Sequence, residues 1–118
     1  MAGVGERAIV IESTLEFADA VDRRAPGGVV TTALCGHWEH DGQCRWPHNN
    51  RLVGLDSSTA VVRTVAIVDR ADLGEVHRRV EVGLGGDPRW SLLTCNQQEL
   101  TPEERALADR LARGSPIL

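Results

Sequence analysis

Cys35, His37, Cys44 and His48 follow the pattern Cys-x-His-x6-Cys-x3-His. Two thiolates and two imidazoles are a donor set that suits a borderline-soft cation such as zinc. The fourteen residues from Cys35 to His48 hold three of the four histidines, two of the three cysteines and two of the three tryptophans of the chain. Scattering of scarce residues does not produce such a density. Four protein ligands would close a tetrahedral shell and leave no position for substrate, which describes a metal-binding or assembly module. Three ligands would leave one position open for water or a substrate oxygen, with Glu39 or Cys44 as the catalytic base of a metal-dependent enzyme. A metal-free interaction protein is the third reading of the same stretch.

The positioning element expected for these residues is a β-hairpin over 35–48. Asp41-Gly42 is the dipeptide that a two-residue type I′ turn demands, because both central positions need φ > 0. With that turn Cys35 faces His48, His37 faces Trp46, and Glu39 faces Cys44. Alternation then collects Cys35, His37, Glu39, Cys44, Trp46 and His48 on one side and sends Trp38, His40 and Arg45 to the other. Directly opposed Cβ atoms lie about 5 Å apart, so the ligand arms converge.

The rest of the chain must supply a scaffold. At 118 residues with a formal charge of −4, one domain from 1 to 118 is expected, large enough to fold without a metal. All thirteen basic residues are arginine, and tyrosine is absent. Schiff-base chemistry, a phosphate-loop lysine and a tyrosine acid or base are therefore excluded. No basic cluster offers a footprint for nucleic acid, and no apolar run has the length of a signal peptide or a membrane span. The expected setting is the cytoplasm, where three cysteines serve as thiols or metal ligands and not as a disulfide framework. The partners expected are a metal ion, with a protein or a small polar substrate beside it, and an oligomer is compatible with the composition.

In chain order, Ala8-Ile9-Val10-Ile11 is a β-branched run. Ser13-Thr14-Leu15-Glu16 after it has the form of a capping box and predicts a helix that stops at Pro26-Gly27-Gly28. Val29 to Leu34 reads as a strand entering the hairpin, and Arg51 to Leu55 as the strand leaving it. Ala60 to Val68, apolar on both faces apart from Arg63 and Thr64, predicts a central strand. A helix from Asp69 to Gly85 carries Leu73, Val76, Val80 and Leu84 inward, with His77 on its surface. Trp90 to Cys95 is the last strand, where Cys95 is read as a small buried hydrophobe. Thr101-Pro102-Glu103-Glu104 opens a closing helix with a capping box. The order predicts an α+β two-layer sandwich, an antiparallel sheet with helices on one face, built as a ferredoxin-like βαββαβ core plus a C-terminal helix.

Between Cys44 and Ala112 the sequence also resembles the 6-pyruvoyl-tetrahydropterin synthase and 6-carboxytetrahydropterin synthase family. The residues that carry the likeness are Cys44-Arg45-Trp46-Pro47-His48-Asn49-Asn50, Val68-Asp69-Arg70-Ala71-Asp72-Leu73 and Thr101-Pro102-Glu103. The resemblance implies a tunnelling-fold-like ββαα unit as the alternative architecture. It also implies a zinc-dependent lyase acting on a dihydropterin triphosphate, with Cys44 as catalytic thiol and His48 as a zinc ligand together with His37 or His40. The chain departs from that family in carrying Asn49 and Asn50 where its second histidine stands, and in its additional leading strand and helix.

Overall fold

The computed structural model describes residues 6–18, 22–35, 46–54 and 58–112. Its elements are β1 (Glu6–Phe17), α1 (Ala25–Cys35), β2 (His48–Gly54), β3 (Thr59–Asp69), α2 (Leu73–Gly85), β4 (Trp90–Gln98) and α3 (Pro102–Ala112), with a 3-10 turn at Arg70–Asp72 before α2. The four strands form one antiparallel sheet in the order β2-β3-β1-β4. With α1 and α2 as the two crossovers, this is the ferredoxin-like βαββαβ arrangement and an α+β sandwich.

Period-two burial builds the sheet. Ile9, Ile11, Leu15 and Phe17 of β1 join Ala60, Val62, Ala66 and Val68 of β3 in the main core, whose lid is Val30 and Leu34 of α1 with Val76, Val80 and Leu84 of α2. The intervening residues Val10, Val65 and Ile67 face the other side, where Ala108 and Leu111 of α3 cover them. Both crossover helices therefore lie on one face, and the terminal helix closes part of the opposite face.

Two elements differ from the sequence expectation. Residues Ser13 to Phe17 continue β1 and do not open a helix. Ser13 and Leu15 are fully buried on the core side, and β1 gains a register with β3 on one flank and β4 on the other. A local capping signal is worth about 1 kcal/mol and yields to two ladders of hydrogen bonds. Residues 25–35, expected to end one helix and form a strand, are α1 instead. Pro26 sits in the first turn, where its missing N–H is not needed, and the β-branched run Val29-Val30-Thr31-Thr32 is overridden by packing. A Cβ added at Gly83 of α2 would stand 3.2 Å from the Ala33 Cβ, so α1 and α2 approach through small residues. β3, α2, β4 and α3 lie close to their expected bounds.

Candidate metal centre

Cys35 is the last residue of α1 and His48 the first of β2, so the two ends of the Cys/His-rich stretch are set by a helix end and a strand start. Cys35 is helical, so the hairpin does not begin at it. The turn at Asp41-Gly42 and the residues His37, Trp38, Glu39, His40, Cys44 and Arg45 lie outside the described residues. Even so, Cys35 Sγ lies 3.9 Å from His48 Nδ1, the pair that the hairpin register placed opposite each other.

The mouth of this stretch is held firmly. Trp46, only 3% exposed, is a member of the main core, not of a ligand face. Its Nε1 donates to Asp72 Oδ2 at 3.3 Å, and the Arg79 guanidinium lies over its ring, 5.0 Å from the centroid. Arg79 also donates to the Ala33 carbonyl at 3.2 Å. It thereby supplies α1 with the C-terminal cation that its own last turn lacks. The next carbonyl, that of Pro47, accepts from Ile67 N at 2.9 Å and docks the chain against β3.

Behind the Cys35–His48 pair runs a chain of neutral polar groups between α1 and the sheet. His48 Nδ1 lies 3.0 Å from the Trp46 carbonyl. A carbonyl only accepts, so Nδ1 carries the proton. Nε2 lies 3.1 Å from the Thr31 hydroxyl. Asn50 Nδ2 donates to Thr31 Oγ1 at 3.3 Å and to the Gly27 carbonyl at 3.1 Å. Asn50 Oδ1 in turn accepts from the Thr64 hydroxyl at 2.8 Å, and Thr64 is 1% exposed. The Thr64 and Asn50 bonds have a direction, from the Thr64 hydroxyl to Asn50 Oδ1 and from Asn50 Nδ2 to Thr31 Oγ1.

The cysteines are in two states. Cys35 is disulfide-bonded, where the composition predicts thiols or metal ligands. Cys95 is free and buried. It accepts from the Ser13 hydroxyl at 3.5 Å, and burial pushes its thiol pKa up. β4 and β2 are opposite edges of the sheet, so Cys95 stands about 14 Å of sheet width from His48 and is remote from the Cys/His stretch. His77 is equally remote: its Nε2 donates to the Cys95 carbonyl at 2.9 Å. Among the described residues no group of three or more His, Cys, Asp or Glu is placed to hold a metal ion.

The residues that sequence reasoning missed are Thr31, Asn50 and Thr64. Thr64 did leave a trace, since it and Arg63 are the polar interruptions of an otherwise apolar central strand. A groove of about 510 Å³ between α1 and α2 is lined by Ala25, Val29, Thr32, Ala33, Gly83 and Arg89. Arg89 is engaged by Asp87 at 2.6 Å. No helix among the described residues is long and apolar enough to cross a membrane. Neither the protein-family models, nor curated proteins, nor solved structures contain a match to this chain.

Proposed function

We propose that the chain is a small zinc-binding protein of the cytoplasm, acting as a metal-binding or assembly module. Its ion would be held by Cys35, His37, Cys44 and His48 once Cys35 is reduced. The observation that supports this reading most is the 3.9 Å separation of Cys35 Sγ and His48 Nδ1. Zinc bonds of about 2.3 Å to sulfur and about 2.0 Å to nitrogen at a tetrahedral angle put those two atoms roughly 3.5 Å apart. The outer members of the four-residue pattern are thus already spaced as neighbouring ligands, on an anchored helix end and an anchored strand end. A thiolate binds the metal and a disulfide does not, so zinc and the Cys35 disulfide exclude one another. A site of this kind does not have to hold the fold, because the core is formed by the sheet, α1 and α2.

The test is zinc uptake by the full chain after reduction with a phosphine that does not bind metal. About one zinc per chain is expected, with a tetrahedral spectrum when cobalt(II) replaces it, unchanged by added azide. His48→Ala should lose the ion, and chelation should leave far-ultraviolet circular dichroism nearly unchanged. Absence of zinc from freshly reduced, unchelated protein after equilibration with the ion would overturn the reading.

A further inference from the structure

We propose that the hollow between β2, β3 and α3 is a binding site for a small organic anion, a carboxylate on a short apolar body, held by Arg51 and Arg110. It lies on the face of the sheet opposite α1, so it stands apart from the Cys35–His48 pair and does not depend on the zinc reading. The hollow encloses about 200 Å³. Asn49 and Arg51 are alternate residues of β2 and turn to the same side, towards α3. The floor is apolar, Val65 of β3 and Leu107 of α3, and the walls carry the guanidinium groups of Arg51, Arg63 and Arg110.

Arg51 and Arg63 are direct cross-strand partners, an opposition of like charges that costs stability. The buried carboxylate between them and α3 is committed to Arg63. Glu104 Oε2 accepts from Arg63 Nε at 2.7 Å, while Oε1 accepts from Arg63 Nη2 at 2.8 Å and from the Thr101 N–H at 2.9 Å. Arg51 reaches the same carboxylate only at 3.6 Å and is half exposed, so its donor fork is left for another anion. Arg110, in the last turn of α3, makes no ion pair among the described residues. A guanidinium fork matches the two oxygens of a carboxylate. Val65 and Leu107 offer the adjoining carbon atoms a surface out of water. Glu103 of the first turn also lines the hollow and opposes an anion there, which limits the affinity.

The experiment is a titration of the full chain, with nitrogen-15 in its arginines, by sodium butyrate at constant ionic strength, following the side-chain Nε–H resonances. Binding at about 1 mM is expected for a ligand of so few atoms. It should shift Arg51 and Arg110 and leave the exposed Arg78 unmoved. Arg51→Gln and Arg110→Gln should each weaken butyrate about tenfold, and Glu103→Gln should tighten it about two- to fivefold. Inorganic phosphate, which has no apolar body, should bind more weakly than butyrate, and the uncharged butyramide should not bind. The inference is overturned by the absence of a shift at Arg51 with butyrate, or by equal affinities for wild type and Arg51→Gln. Phosphate or butyramide as tight as butyrate, or weaker binding by Glu103→Gln, would overturn it as well. Should Arg51→Gln fail to fold, Arg110→Gln, whose side chain is exposed, decides in its place.

Discussion

On the α3 side of the sheet the buried polar groups are ions, and on the α1 side they are neutral. Arg63 of β3 is directly opposite Arg51 of β2 on one flank and Glu12 of β1 on the other. Like charges facing each other across two strands are unfavourable, and Glu104 of α3 answers both. It takes Arg63 through two bonds of 2.7 and 2.8 Å and approaches Arg51 at 3.6 Å. Glu12 and the Glu99 carbonyl each take one further Arg63 donor. The same Glu104 closes a capping box with Thr101, donating its N–H to the hydroxyl and accepting from the Thr101 N–H. That network is closed on itself and fixes α3 to the sheet. The chain Thr64–Asn50–Thr31–His48 ends instead at an imidazole next to Cys35. Buried charge here docks a helix onto the sheet, and buried neutral polarity ties α1 to β2 and β3.

The contrast can be broken most severely at Glu104. Glu104→Ala leaves Arg63, 13% exposed, with only the half-exposed Glu12 as counterion. Loss of one partner of a buried pair is typically worth about 3–5 kcal/mol, to be read from denaturant midpoints. A loss within that of an ordinary surface change would show that α3 docks by apolar contact alone. Acid sharpens the same point. Hydrogen bonds from Arg63 hold the Glu104 carboxyl at about 2, below its ordinary value of 4.5. Its stabilisation is therefore complete above roughly pH 4.5 and lost as pH falls through about 2, worth on the order of 3 kcal/mol. Unfolding followed down to that pH should show the loss in wild type and a much flatter profile in Glu104→Gln.

The neutral side should respond less. Asn50→Ala strands the Thr64 hydroxyl, a cost of about 1–3 kcal/mol, and its stability should not vary with acid beyond the wild-type profile. An acid dependence that changed with Asn50 would join the two networks that the structure keeps apart. His77→Ala removes the donor to the Cys95 carbonyl on the edge strand. About 1 kcal/mol is expected, together with faster amide exchange along β4. The smallest effect belongs to Arg78→Ala. Its ion pair with Glu75 is 62% exposed on the arginine side, and Arg79 keeps the same carboxylate, so the change should stay within about 0.5 kcal/mol.

The second half of the chain was legible because its local signals agree with its packing. Val76, Val80 and Leu84 mark one helix face and are all buried, and the Thr101 to Glu104 capping box forms as its spacing predicts. In the first third they disagree. Ser13-Thr14-Leu15-Glu16 has the letters of a helix start but the period of a strand, and Val29-Val30-Thr31-Thr32 has the propensity of a strand but the partners of a helix. What decides both is distant in sequence: the flanks that β3 and β4 offer to β1, and Gly83 for α1 to approach. The βαββαβ order survived because one strand and one helix still precede β2. At the site, the pairing of Cys35 with His48 was legible, although a helix end delivers it and not a hairpin. Thr31 was invisible as a partner, since its role depends on facing Asn50 and His48 from α1.

β1 is central in space and first in order. Its ladder partners lie at residues 59–69 and 90–98, so nearly every pairing it makes closes a loop of more than forty residues. Loop closure of that length precedes any reward from the contact, which places a sheet of this kind among slow, topology-limited folders in the millisecond-to-second range. During synthesis at about 5–20 residues per second, Ile9, Val10 and Ile11 wait several seconds for β3 and β4. In that interval an apolar strand with two unpaired edges is available to other chains. The yield of soluble protein should therefore follow how well that first strand is shielded while its partners are still being made.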